Sequence, residues 1–377
     1  MYQIKGKIDS TNAPEFEKEL MAALPTELDA AELEYISSAG LRVLLKLSKA
    51  VGDVTVVNVS SEVYEILEMT GFTSILNVKK ALREIDLTGK EIIGKGGNGT
   101  VYRLDDERIV KVYRSEHSLE YIDRERAYAK AAFVSGIPSV IAFDVVKTSD
   151  GYGVVFEAMN SDTLSHAMVT EPEKRDEYIR KYVELAKTLH TTQMKGEEIA
   201  TLKSLLYKRL DDNYMRESLT AEELDTLRSI VDAMADVNTL VHGDLHPGNI
   251  MLQDGELMLI DMGEVTRGVP IYDVSTVFRD LISAPKSNPE VTRMSMGLEP
   301  ELATEIGMKF LSMYSGISDP QAFEGYLKQL GLVFAFNVVM LLPNVSQREQ
   351  RGPLIIENLL RPVVLPNADA LKYIFSK

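Results

Sequence analysis
The chain has 377 residues, enough for two or three domains, and its 45% hydrophobic and 26% charged content is ordinary for a soluble globular protein. Forty-one basic against 57 acidic residues leave a net charge of −16 with no local basic patch, which argues against a nucleic-acid partner. There is no cysteine, so disulfides, cysteine–zinc sites and thiol catalysis are excluded.

The N-terminal "MYQIKGKIDS" lacks an apolar stretch of signal-peptide length. The longest nearly apolar run, "GLVFAFNVVMLLP" at 331–343, is too short to span a bilayer and contains Asn337, so it reads as a buried helix. A cytoplasmic protein is the expectation.

From the N-terminus, strand and helix signals alternate. "YQIKGKI" predicts a strand and "APEFEKELMAAL" a helix with Pro14 near its start. "AAELEYI" predicts a second strand. "SSAGLRVLLKL" predicts a helix, with Ser37 or Ser38 at its N-cap and Leu41, Leu44 and Leu45 on one face. "DVTVVNV" is a β-branched strand, and "SSEVYEILEMTG" a helix with a serine cap and a terminal glycine. The pattern ends near residue 84 and predicts an α/β domain over 1–84. "NVKKALREIDLTGK" then reads as a rigid helix or a loose joint.

A different pattern begins near residue 87. "KEIIGKGGNGTVYRLDDERIVKVYR" predicts an antiparallel meander, followed by one helix and two further strands. Beyond 161 the chain reads as helical apart from one hairpin at 249–261. The second unit, 87–377, is therefore expected to be a bilobal α+β domain, with a β-rich lobe over about 87–160 and a mainly helical lobe over about 161–377.

Three places in this unit carry chemistry. In "NIMLQDGELMLID", Asp254-Gly255 predicts a two-residue turn pairing Gln253 with Glu256 and Ile250 with Leu259. Asn249 and Asp261 then meet at the open end, an amide oxygen and a carboxylate suited to Mg2+. Asp244, on the entering loop, is placed to orient a hydroxyl and accept its proton. In "IGKGGNGTVYRL", Gly94, Gly96 and Gly99 with Val101 form G-x-G-x-x-G-x-V between two strands, and Gly97 lies within it. The strand–turn–strand context suits a flap over phosphates better than a dinucleotide fold. Lys111, flanked by valines, needs a partner. ATP phosphates or a carboxylate would serve, Glu125 first and Glu120 as the alternative.

These residues resemble the protein-kinase-like fold in its aminoglycoside phosphotransferase and choline kinase branch. His242-Gly243-Asp244-Leu245-His246-Pro247-Gly248-Asn249 is similar to H-G-D-x-H-x-x-N, and Ile260-Asp261-Met262-Gly263 to I-D-x-G. The resemblance carries motifs over about 87–280. It implies Asp244 as catalytic base, Asn249 and Asp261 as magnesium ligands, and Lys111 on the ATP α/β-phosphates with Glu125 as its partner. It also implies a hinge at "FEAM", 156–159, where Glu157 and Met159 hold adenine through backbone groups, and Asp273 as a structural aspartate. No A-P-E-terminated activation segment lies between Asp261 and Asp273, which favours a hydroxylated small molecule or a special protein acceptor. His242 is expected to shape its loop by hydrogen bonding rather than act as a base, and His246 either to pack only or to take part in the site.

The first unit resembles the STAS domain of anti-sigma-factor antagonists, through "GKIDSTNAPEFEKEL" and "YISSAGLRVLL", the latter similar to D-S-x-G-L. That resemblance implies regulation, a protein partner of the anti-sigma type, and phosphorylation at Ser38, with Ser37 standing where the family has aspartate. The whole reads as an ATP- and Mg2+-dependent bacterial phosphotransferase tied to a STAS domain. The alternative is a nucleotide-binding pseudokinase that captures a protein partner without turnover.

Overall fold
A computed structural model of the chain describes every residue except Gly97, Asn160 and Glu197. Two compact units result, Met1–Asp86 with Val146–Ser149, and Leu87–Val145 with Asp150–Lys377.

The first unit runs β1 (Tyr2–Ile8), α1 (Ala13–Ala23), β2 (Glu27–Ile36), α2 (Ser38–Val51), β3 (Thr55–Val59), α3 (Ser61–Met69) and β4 (Asn77–Lys80). The four strands form a parallel sheet in that order. Ile4 and Ile8 of β1, Leu28 and Ile36 of β2, and Val56 and Val59 of β3 are buried with Leu41, Leu44 and Leu47 of α2 in one core. Hydrophobic burial of this face is what holds the short helices. A Cβ at Gly40 would fall 2.7 Å from both Ile8 Cγ2 and Ile36 Cγ1, so only glycine lets α2 start this close to the strand ends. The stretch read as a helix or a loose joint is instead extended, as β4 and then β5 (Arg83–Ile85). Its sequence hides this because β4 is an edge strand with mostly exposed side chains, lysines among them.

The second unit begins with the meander β6 (Ile92–Lys95), β7 (Gly99–Arg103) and β8 (Arg108–Tyr113). Helix α4 (Leu119–Val134), β9 (Ala142–Thr148) and β10 (Gly151–Glu157) follow, and the strands lie in the order β9-β10-β8-β7-β6. Lys111 is opposite Val101 on one side and Val154 on the other, in the middle of the sheet.

The rest is mainly helical. It includes β11 (Asp162–Thr163), α5 (Leu164–Thr170), α6 (Arg175–Thr191), β12 (Leu240–Val241), and the hairpin β13 (Ile250–Gln253) and β14 (Glu256–Leu259). The hairpin has the expected register, Gln253 with Glu256 and Ile250 with Leu259, and Asp254 and Gly255 both take positive φ, as a type I′ turn requires. It does not stand alone as expected. Asp162–Thr163 pairs with β13, and Leu240–Val241 pairs with Thr266–Arg267. Two-residue strands show no alternation for sequence to reveal. The apolar run at 331–343 lies largely in the helix Pro320–Met340, with Val333, Phe336 and Val339 buried. Among the described residues no helix is long and apolar enough to cross a membrane.

Candidate active site
The loop from His242 to Asn249 lies between β12 and β13 and is held from behind. Asp273, fully buried on the helix Pro270–Phe278, accepts the His242 N–H at its Oδ2 and the Gly243 N–H at its Oδ1, both at 3.0 Å. His190 Nε2 of α6 lies 3.0 Å from Asp273 Oδ2, and its Nδ1 is 2.7 Å from the Tyr314 hydroxyl. His242 is itself buried, with Nε2 3.0 Å from the Ile260 carbonyl and Nδ1 accepting the Asp244 N–H at 3.3 Å. One carboxylate and one imidazole thus fix the backbone before Asp244 and tie the loop to the hairpin end.

Asp244 reaches three groups. Arg279 Nη2 donates to Oδ1 at 2.5 Å, Asn249 Nδ2 donates to Oδ2 at 3.0 Å, and His246 Nε2 lies 3.5 Å from Oδ2. Burial works against the carboxylate's charge, but the His246 hydrogen bond and charge and the Arg279 guanidinium outweigh it and hold Asp244 well below the usual carboxylate range. Conversely, burial would lower His246, and Asp244 raises it above an ordinary histidine. His246 therefore touches the candidate base rather than merely packing. Asn249 Nδ2 also bonds the Asp244 carbonyl at 3.0 Å, which orients the amide.

The hairpin ladder extends one step past β13 and β14, through the Ile260 N–H to the Asn249 carbonyl at 3.0 Å. Asp261 follows directly with φ 60° and ψ 62°, a left-handed backbone that turns its side chain away from the strand run. Lys111 Nζ lies 2.9 Å from Asp261 Oδ1 and 2.9 Å from Glu125 Oε1. Burial would lower the Lys111 ammonium, but the two carboxylates raise it above the ordinary lysine value, so it stays charged. Glu125, at 1% exposure, is the partner of Lys111, and Glu120 is not. The β8 strand, α4 and the end of the hairpin supply one residue each.

The glycine turn closes with the Gly96 N–H on the Gly99 carbonyl at 2.9 Å, while Gly94 pairs with Val101 across β6 and β7. A Cβ at Gly99 would lie 2.1 Å from the Val112 carbonyl, so this glycine is required by the strand ladder whatever the turn covers. Gly97 lies outside the described residues. At the end of β10, the Glu157 N–H and the Ala158 N–H bond the carbonyls of Ile141 and Glu107, and the Glu157 carboxylate accepts the Ile141 N–H at 2.6 Å. The Glu157 side chain thus braces this connection, and Met159 follows it.

Arg279 and Asp280 were missed by sequence reasoning, as were His190 and Tyr314. Arg279 Nε and Nη2 both reach Asp280 at 2.7 Å while Nη2 also reaches Asp244. The only signal was an adjacent charge pair directly after the apolar "YDVSTVF". His190 ends an amphipathic helix and looks like a solvated residue in the sequence, although it is buried.

Residues 90–304 match the model of the phosphotransferase enzyme family, and residues 1–85 match that of the STAS domain. The N-terminal part is 37% identical over 84 residues to BtrV of Bordetella bronchiseptica, a protein named as an anti-sigma factor antagonist; the match covers 20% of this chain and 72% of that protein. Among solved structures, an ADP-bound aminoglycoside phosphotransferase of the 2″ type superposes with a TM-score of 0.47 at 16% identity, covering 82% of this chain and 98% of that one. A streptomycin–ATP complex of another 2″-type enzyme gives 0.46 at 15% identity over 81% and 98%. A choline/ethanolamine kinase family protein from Mesorhizobium loti gives 0.42 at 15% over 75% and 92%.

Proposed function
This chain belongs to the phosphotransferase enzyme family and carries an N-terminal STAS domain, and from that premise we propose that its second unit moves the γ-phosphoryl group of ATP to an acceptor hydroxyl at Asp244. The observation that carries the reading is the convergence of Asp244, Asn249, Asp261 and Lys111 around one end of the β13–β14 hairpin.

Asp244 accepts a hydrogen bond from the acceptor hydroxyl and aims its oxygen at the γ-phosphorus. The new oxygen–phosphorus bond forms as the bond to the bridging oxygen of ADP breaks, and the hydroxyl proton passes to Asp244. Its lowered pKa makes Asp244 a weak base. That suits a loose phosphoryl-transfer transition state, where positioning counts for more than early proton removal. Lys111 meets the α/β-phosphates, with Glu125 holding it in place, and Gly94, Gly96, Gly97, Gly99 and Val101 form the flap above them. The backbone at Glu157 and Met159 takes the adenine.

The donor set fits magnesium. Among the described residues no three His, Cys, Asp or Glu side chains cluster as a metal cage. Magnesium needs none, since it takes one or two protein oxygens and completes its shell with phosphate and water. Asn249 has its amide nitrogen committed to Asp244, which leaves its oxygen for a ligand, and Asp261 offers a carboxylate. Bound there, the ion neutralises phosphate charge.

We read residues 1–84 as the regulatory domain of a cytoplasmic enzyme. Ser37 is the N-cap of α2, its Oγ accepting the Gly40 N–H at 3.4 Å, and Ser38 is the exposed first residue of the helix. A phosphate on Ser38 would sit at the positive end of the helix dipole and add nearly two charges to any surface a partner covers.

The test is ADP release, together with intact mass of the protein, after incubation with Mg-ATP and hydroxylated acceptors. Asp244→Asn should lower turnover by about 10²–10⁴-fold and keep the rise in Tm caused by Mg-ATP. Unchanged turnover removes the base assignment. Nucleotide binding with no transfer to any acceptor would instead favour a pseudokinase.

A further inference from the structure
The helix Pro270–Phe278 and the residue after it reach the Asp244 loop at two points. From the first turn Asp273 accepts the backbone N–H groups of His242 and Gly243. From the end Arg279 donates its Nη2 proton to Asp244 Oδ1 at 2.5 Å. A long helical side chain leans back toward the N-terminus of its own helix, which lets Arg279 reach a loop that Asp273 also touches. Asp273 fixes the backbone of the loop, and Arg279 grips the carboxylate that the loop carries. The helix widens at this residue, since Arg279–Ser283 is a π-helical turn, a feature found mostly at functional sites. Asp280 braces the guanidinium, with Nε 2.7 Å from its Oδ1 and Nη2 2.7 Å from its Oδ2. The two side chains are 30% and 14% exposed, so this two-point pair is largely shielded from water and holds a defined orientation.

The acceptor sites of Asp244 can be counted. A carboxylate offers about four, two on each oxygen. Oδ2 faces two donors, Asn249 Nδ2 at 3.0 Å and His246 Nε2 at 3.5 Å. His246 Nδ1 accepts the Gly248 N–H at 3.1 Å, which leaves the ring proton on Nε2, toward Asp244. Oδ1 faces Arg279 alone among the described residues, so one acceptor site stays open on that oxygen. The Asp244 side chain is 39% exposed, so a hydroxyl from outside has access to it.

We propose that Arg279, braced by Asp280, is a positioning residue for phosphoryl transfer, fixing the Asp244 side chain so that the acceptor hydroxyl binds at Oδ1, beside the guanidinium. The proposal rests on the assignment of Asp244 as the residue that receives the hydroxyl. The hydroxyl oxygen bonds to the γ-phosphorus as the bond to ADP breaks, and the proton passes to Oδ1. Arg279 keeps its own protons throughout, because a guanidinium does not give them up in a protein. Without the grip, the Asp244 side chain is free to leave this rotamer. A displacement of about 1 Å at such a group costs about 10²-fold in rate.

The test is ADP release by the full chain with Mg-ATP, with water, glycerol, choline and streptomycin each offered as the acceptor. Whichever supports turnover is carried through the variants, and the rise in Tm caused by Mg-ADP shows that each is folded. Arg279→Met should lower kcat by about 10²-fold and leave the KM for ATP within a factor of about two. Arg279→Lys, which keeps the charge and loses the fork, should recover part of the rate. Asp280→Asn should fall between the parent and Arg279→Met. The deciding measurement is the double variant. If Arg279 works through Asp244, then in Asp244→Asn the further change Arg279→Met should cost no more than about twofold, since residues acting as one unit are not additive. Losses that multiply in full, a loss confined to KM, or a kcat for Arg279→Met within about threefold of the parent overturn the proposal, and a damaging Asp244→Asn alongside any of these leaves the base assignment standing. Turnover that survives Asp244→Asn unchanged removes the base assignment, and ADP release with none of the four acceptors removes the transfer reading; the proposal falls with either.

Discussion

Lys111 Nζ stands 2.9 Å from Glu125 Oε1 and 2.9 Å from Asp261 Oδ1, one ammonium shared between a carboxylate of the small lobe and one of the large lobe. The two carboxylates differ in what they lose if the lysine goes. Glu125 is 1% exposed and Asp261 is 31% exposed at the side chain. Lys111→Met should therefore strand a buried charge at Glu125 and destabilise the second unit by about 3–5 kcal/mol. Turnover should fall at the same time. Lys111→Met with Glu125→Leu should recover most of the stability and none of the turnover, read by urea unfolding and ADP release. A double variant no more stable than the single one would mean that Glu125 is not the stranded group.

Asp273 holds the Asp244 loop through two backbone N–H groups and His190. Asp273→Asn keeps the shape but turns one oxygen into a donor facing donors. One N–H is then left unsatisfied, a loss of about 1–3 kcal/mol. A displaced Asp244 should lower kcat by about 10²-fold, while the KM for ATP, whose sites lie elsewhere, stays within a factor of about two. Steady-state kinetics decide. A loss confined to KM would place Asp273 in nucleotide binding.

The adjacent serines at the start of α2 are separable. Ser37 Oγ caps the Gly40 N–H, whereas Ser38 is exposed at the first helical position. Ser37→Ala should destabilise the first unit by about 1 kcal/mol, and Ser38→Ala by no more than about 0.5 kcal/mol. Thermal unfolding of the two variants checks this. A reversed order would make Ser38 the cap, and its phosphorylation would then compete with the fold.

What sequence made legible follows the range of the forces involved. The hairpin register could be read because Asp254-Gly255 sets it within a few residues, and the cap at Ser37/Ser38 is equally local. Lys111 and Asp261 are 150 positions apart, and only a resemblance to a known family brought them together in advance. Arg279 on Asp244 spans 35 positions with no motif to announce it, and His190 on Asp273 spans 83. Edge strand β4 was hidden because an edge needs little burial, so its side chains show no alternation.

The capping box at the helix Ala221–Asp232 gives a pH-dependent contribution whose sign can be worked out. Thr220 Oγ1 accepts the Glu223 N–H at 3.2 Å, and Glu223 Oε2 accepts the Thr220 N–H at 2.9 Å. Arg361 Nε donates to Glu223 Oε1 at 2.8 Å, from 138 residues away. That hydrogen bond is the main reason the Glu223 carboxyl lies below the usual glutamate value, with burial opposing it. A carboxyl lowered on folding contributes stability above its unfolded pKa of about 4.3. The contribution is lost as pH falls through the lower folded value. Arg361 is 43% exposed, so water screens the pair, and the effect at pH 7 should be small. Glu223→Gln, which keeps the reach to the Thr220 N–H, should therefore lower stability at pH 7 and approach the parent as pH falls from neutral through the lowered folded value. Urea unfolding of both proteins across that range measures it. A difference that stays constant with pH would assign the loss to packing, with no part for the charge on Glu223.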